Sequence, residues 1–149
     1  MMRVYIDTSA FLALMNANDI NHLDAKKTWI ELLDKDSDLF TSNYVLVETY
    51  ALLQHRFGLE AVAVFHHDIN PVLDVLWAEP ESHSVAIATL LASSRRKLSL
   101  VDCLSFAAMR KYYIDTAFAF DRHFLEQGFF CLPSPRGEAE LLHENFDSD

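Results

Sequence analysis

The sequence predicts one α/β domain: three layers, α/β/α, built around a five-stranded parallel sheet. Three observations lead there. Short apolar runs alternate with longer stretches of helical spacing along nearly the whole chain, which implies crossover connections and parallel strands covered on both faces. The length of 149 residues suits one domain and is too short for two ordinary ones. Hydrophobic residues make up 51% and charged residues 23%, a balance that builds a core and excludes disordered or fibrous classes.

Each element has its own warrant. Arg3-Val4-Tyr5-Ile6 is a continuous apolar run stopped by Asp7-Thr8-Ser9, residue types that cap helices, and it reads as a first strand. Residues 11–16 follow as helix. A second helix covers about 21–34, with Leu23, Trp29, Ile30, Leu32 and Leu33 as its apolar members. Asp38-Leu39-Phe40-Thr41 is a second strand of weak propensity, followed by Ser42-Asn43 as caps. Residues 44–57 carry a strong helical pattern ended near Gly58, and 59–69 resume helical spacing. Residues 71–76 read as a strand that begins at Pro71, and 81–97 as helix. Ser99-Leu100-Val101-Asp102 has the Ser/Thr-x-x-acid form that opens a helix, here continuing to about 113. Residues 116–120 and 129–132 are the last two strands, with a short helix after Asp121. There is no internal repeat. The domain is expected over 1–132, and 133–149 is expected to form an acidic, flexible tail outside the core.

Composition removes several functions. The three glycines, Gly58, Gly128 and Gly137, are not spaced as a phosphate-cradling loop, which excludes the P-loop and the Rossmann fingerprint. A formal charge of −10 is unfavourable for plain binding to a phosphate backbone, so a nucleic-acid role requires metal ions or a local basic patch. Cys103 and Cys131 form no CxxC pair, which suits a reducing cytoplasm. The start of the chain carries no signal-peptide pattern and no apolar run nears 18 residues, so a cytoplasmic protein without a membrane anchor is expected. Seven histidines occur without an HxxxH pair or a Cys/His cluster, which argues against zinc.

Four carboxylates stand out. In a doubly wound sheet, ligands sit outside the carboxyl ends of strands where the strand order reverses, here expected beside the first strand. Asp7 directly follows that strand and Asp121 follows the fourth. Asp102 lies in the first turn of the helix leading into the fourth strand. Glu48 shares a helix face with Tyr44, Val45, Ala51 and Leu52, and a glutamate on an apolar stripe is rarely left without a partner or ion. Taken singly, Asp7, Asp102 and Asp121 are adequately explained as helix caps, and Glu48 could lean out to water. Together at one cleft they repel, and a hard divalent ion, Mg²⁺ or Mn²⁺, is the natural occupant.

The same residues resemble a known family. Ile6-Asp7-Thr8-Ser9, Thr41-Ser42-Asn43-Tyr44-Val45-Leu46-Val47-Glu48, Ser99-Leu100-Val101-Asp102 and Phe118-Ala119-Phe120-Asp121 resemble, in order and spacing, the four motifs of PIN domains, with every acidic position filled. The absence of added domains is similar to the VapC toxins of type II toxin–antitoxin pairs. The resemblance implies a PIN-like fold and a metal-dependent ribonuclease, commonly homodimeric, neutralised by a small antitoxin protein. It implies Asp7 and Asp102 as main metal ligands, Glu48 and Asp121 completing the site, a hydroxyl from Thr8 or Ser9, and Ser99 orienting the third motif. Two divalent ions would bring the formal charge from −10 to −6 and ease the approach of RNA. Arg95, Arg96 and Arg122 are the basic candidates for the substrate, with Lys97, Arg110 and Lys111 behind them. A non-catalytic PIN-fold binding protein and a housekeeping RNA-processing nuclease are the alternatives.

Overall fold

The structure, a computed structural model, describes residues 1–94 and 97–135. Among these residues the chain forms β1 (Arg3–Ile6), α1 (Thr8–Met15), α2 (His22–Asp34), β2 (Asp38–Ser42), α3 (Asn43–Phe57) and α4 (Leu59–Val64). A π turn (Phe65–Ile69) and a 3-10 turn (Asn70–Val72) lead into β3 (Asp74–Leu76) and α5 (Pro80–Ser93). Then come α6 (Leu100–Lys111), β4 (Thr116–Phe118), α7 (His123–Glu126) and β5 (Phe130–Leu132). The basic candidates Arg95 and Arg96, and the tail from 136 onward, lie outside the described residues.

All strand pairs are parallel, in the order β3-β2-β1-β4-β5. The order reverses at β1, whose neighbours are β2 on one side and β4 on the other. Ile6 is in register with Phe118, so β1 and β4 end at one level and Asp7 emerges beside the end of β4. Val4, Tyr5 and Ile6 are all fully buried. Consecutive strand residues point to opposite faces, so both faces of the sheet must be covered by helices. α1 packs on α2 and α3, and α5 packs on α6, which also touches β2 and α3. The core centres on Tyr5, Phe11, Phe65, Phe118 and Phe124. Phe11 meets Phe65 edge-on at 5.0 Å, and Phe106 meets Phe124 at 5.0 Å.

The boundaries depart from expectation where backbone chemistry intervenes. Helix 59–69 is α-helical only to Val64, and the wider π turn then buries Phe65 and Ile69. Pro71 lies in the 3-10 turn, where its missing N–H costs nothing, and β3 starts three residues later, at Asp74. The expected 81–97 helix starts a residue earlier, at Pro80, and stops at Ser93, because Ser94 turns left-handed at φ 52°. β4 ends at Phe118, two residues short of expectation, because the Phe120 N–H bonds to the Ser9 hydroxyl instead of a ladder carbonyl. Among the described residues no helix is long and apolar enough to cross a membrane.

Candidate metal centre

The site forms at the carboxyl ends of β1 and β4. Asp7 is the N-cap of α1: its Oδ2 accepts from Ser9 N–H at 3.2 Å and from the Ser9 hydroxyl at 2.7 Å. Its own N–H donates to Phe118 O at 3.0 Å, so β1 pairs with β4 up to the acid itself. One side chain thus caps α1 and stands where β1 and β4 end together. Burial raises the Asp7 pKa to about 6; the Ser9 donors pull it back, while the charges of Asp102 and Asp121 push it further up.

Asp102 is held by a reciprocal capping box. The Ser99 hydroxyl accepts from Asp102 N–H at 3.1 Å, and Asp102 Oδ2 accepts from Ser99 N–H at 3.0 Å. Burial raises its pKa, the Ser99 donors lower it, Asp121 raises it and His123 lowers it. Asp121 follows β4 and accepts the His123 N–H at 2.9 Å, which opens α7. One ligand atom each of Asp102, Asp121 and His123 lie within 4.8 Å of one another.

Asp7 and Glu48 stand outside that triple but within its field. Glu48 is half-buried, its pKa raised by burial, lowered by the Thr8 hydroxyl, and raised by Asp102 and Asp121. The expected apolar stripe is only partly correct. Val45, Leu46, Thr49 and Leu53 are the buried residues of α3, whereas Ala51 is exposed. Glu48 is about 100° round the helix from Thr49 and so lies at the edge of the buried face, where a carboxylate can reach both protein and solvent. Thr8 is buried, accepts from the Thr49 hydroxyl at 3.3 Å, and ties α1 to α3 beneath Glu48.

Arg122 is exposed and lines a cavity of about 300 Å³ together with Asp121, Phe120, Asn21, Leu125 and Pro133. Arg110 and Lys111 are elsewhere. Both lie at the C-terminal end of α6, and Lys111 is nine residues, roughly 13 Å, along the helix from Asp102. Arg110 is committed to structure, donating to the Gln127 side chain at 2.9 Å and stacking over Phe129 with its guanidinium carbon 5.2 Å from the ring centre. Sequence reasoning passed over His123. The i, i+2 spacing from Asp121 carries no ligand pattern, and only the turn after β4 aims both side chains at Asp102.

The donor set passes a physical test for a cation. Asp7, Glu48 and Asp102 all have pKa values raised by burial and by neighbouring carboxylates. The oxygen-rich chemistry is that of a divalent metal site.

Known proteins share this arrangement of elements. The chain matches the PIN domain family over residues 4–129. It is 39% identical over 127 residues to the 23S rRNA-specific endonuclease VapC20 of Mycobacterium tuberculosis, covering 85% of this chain and 95% of the relative. The crystal structure of that protein, described as a sarcin–ricin loop cleaving toxin, superposes with a TM-score of 0.74 at 38% identity, over 85% of this chain and 95% of the other. FitAcB from Neisseria gonorrhoeae has the same fold at 13% identity, with a TM-score of 0.61 over 86% of this chain and 95% of the other. With a reversed parallel sheet, acids at the ends of its two central strands and a family match spanning nearly all of them, this chain belongs to the PIN-domain family.

Proposed function

We propose that the chain is a Mg²⁺- or Mn²⁺-dependent endoribonuclease, the toxin of a type II toxin–antitoxin pair, hydrolysing RNA phosphodiester bonds at Asp7, Glu48, Asp102 and Asp121. The observation that carries this reading is the 39% identity to a 23S rRNA-specific endonuclease over 95% of that enzyme's length. The sarcin–ricin loop is accordingly the first RNA to test.

Asp102 and Asp121 would hold the metal, with Asp7 the third carboxylate and Glu48 at the solvent side. When bound, a divalent ion supplies Lewis acidity toward a phosphoryl oxygen and lowers the pKa of water. The chain's own residues do the rest. Ser9 and Ser99 hold Asp7 and Asp102 in fixed rotamers, so the carboxylates are oriented before substrate arrives. Thr8 supports Glu48 from below. Arg122, at the rim beside Asp121, is placed to meet a phosphate and offset the local negative charge.

For partners, the reading takes an antitoxin protein and a second copy of the chain. Leu23, Ile30 and Leu33 on α2 and Val47 on α3 are exposed apolar side chains that either could cover. A catalytic domain over 1–132 and a cytoplasmic location in which the thiols of Cys103 and Cys131 stay reduced complete the proposal.

The test is cleavage of sarcin–ricin loop RNA by the purified chain with Mg²⁺ or Mn²⁺, with EDTA, and with Asp102→Asn. The expected outcome is metal-dependent cleavage reduced by orders of magnitude in the variant. Cleavage indifferent to EDTA and to Asp102→Asn overturns the assignment.

A further inference from the structure

We propose that His123 is a nitrogen ligand of the divalent ion and biases the site toward Mn²⁺ over Mg²⁺. The inference rests on the carboxylate site described above and adds to it a residue of another chemical kind.

Four observations support it. First, one ring nitrogen of His123 and one oxygen each of Asp102 and Asp121 fall within 4.8 Å of one another. Ligands at about 2.1 Å from a shared ion are separated by roughly 3–4 Å, so side-chain adjustments of about an ångström bring all three onto it. Second, the backbone from which the imidazole projects is held in place. The His123 N–H donates to Asp121 Oδ1 at 2.9 Å, which holds the Asp121 carboxylate and the backbone of His123 in a single turn. The next residue, Phe124, is fully buried and anchors that turn in the core.

Third, the two ring nitrogens face different groups. Nε2 lies 3.6 Å from Asp121 Oδ1, on the side of the site, and Nδ1 lies 3.6 Å from Glu126 Oε2 on the other. A neutral imidazole carrying its proton on Nδ1 presents that N–H to Glu126 and leaves the Nε2 lone pair facing Asp121. This is the carboxylate–histidine–metal relationship that orients metal-bound histidines. Fourth, Nδ1 is buried and makes no hydrogen bond in the described structure, while the side chain as a whole is only 16% exposed.

A nitrogen donor changes selectivity. Mg²⁺ prefers oxygen ligands and retained water, whereas the first-row transition ions accept imidazole more readily. The rival role for His123 is that of a cation resting between Asp121 and Glu126. The two roles differ in sign, because removing a ligand weakens metal binding and removing a competing cation strengthens it.

The experiment is Mn²⁺ and Mg²⁺ titration calorimetry on the full chain, its His123→Gln variant and its Asp102→Asn variant, with pulsed electron paramagnetic resonance of the Mn²⁺-loaded proteins. The expected result is a ¹⁴N coupling from imidazole in the unaltered chain, which needs no variant to be seen. His123→Gln should abolish that coupling and weaken Mn²⁺ about tenfold or more, with Mg²⁺ weakened by less than about threefold. Circular dichroism confirms that the variant is folded. If the unaltered chain binds Mn²⁺ in an Asp102-dependent way without ¹⁴N coupling, and His123→Gln binds equally or more tightly, the ligand proposal is overturned and the carboxylate site stands. If neither metal binds, or Asp102→Asn binds as tightly as the unaltered chain, the carboxylate site fails and His123 fails with it.

Discussion

The Ser9 hydroxyl accepts the backbone N–H of Phe120 at 3.0 Å while donating to Asp7 Oδ2 at 2.7 Å. One small side chain thus fastens the end of β4 to the acid that ends β1. Ser9→Ala removes both bonds and leaves the Phe120 N–H without its acceptor. We expect a loss of about 1–2 kcal/mol in denaturant unfolding. The Asp7 pKa should also rise above its already elevated position, since a group that favours the ionised form is gone. Unchanged stability would mean that water replaces the hydroxyl without cost.

The raised Asp7 pKa makes a statement about stability and pH. Folding lifts this carboxyl from an ordinary 3.8 to about 6, so between these values the folded state binds the extra proton. Stability from this group is therefore fully present below about pH 4 and is lost as pH rises through 6. Glu48 and Asp102, shifted in the same direction, add to the slope. In EDTA, unfolding free energy should fall by on the order of 2–3 kcal/mol across this window from Asp7 alone. Chemical denaturation at pH 4.5, 5.5 and 7 measures it. A profile that rises with pH across the window would show that the carboxylates are not crowded as described.

Asp7→Asn separates cap from charge. Asparagine caps a helix about as well as aspartate and has nearly its shape, while the buried charge is removed. Without metal, the variant should melt at or above the unaltered protein, by about 1 kcal/mol. Millimolar Mg²⁺ or Mn²⁺ should reverse the order, since a ligand at about 100 times its dissociation constant adds roughly 2.7 kcal/mol to the form that binds it. Thermal melts with EDTA and with metal test both halves. A variant that is less stable without metal and responds equally to metal would reduce Asp7 to a structural cap.

Two arginines should part company. Arg122 is exposed at the rim beside Asp121, so Arg122→Ala should raise KM for RNA several-fold while the melting temperature holds. Arg110 donates to Gln127 and covers Phe129, so Arg110→Ala should cost about 1 kcal/mol of stability and leave KM alone. Equal effects on KM would place the substrate path along α6 rather than across the rim.

Much of this molecule can be read from local pattern. Strand and helix order follows from apolar periodicity, which is a property of neighbouring residues. The strand at Arg3–Ile6, the caps at Asp7, Ser42 and Ser99, and the stop at Gly58 all announce themselves within a few positions. Alternation of strands and helices then leaves few topologies, and the reversal beside β1 follows from that short list. Other features depend on residues far apart in the chain. Ser9 reads locally as a capping residue, and its bond across 111 positions to Phe120 exists only because β1 and β4 pair. His123 carries no ligand signal until the turn after β4 brings it to Asp102, whose helix comes from elsewhere in the sequence. Arg110 and Lys111 look as available as Arg122 until α6 carries them to its far end. Glu48 has the right period for a buried face and the wrong angle by one position, which the packing of α3 against its neighbours sets. Periodicity says which residues share a face, but what that face meets is a non-local contact, and such contacts form only when the chain closes on itself.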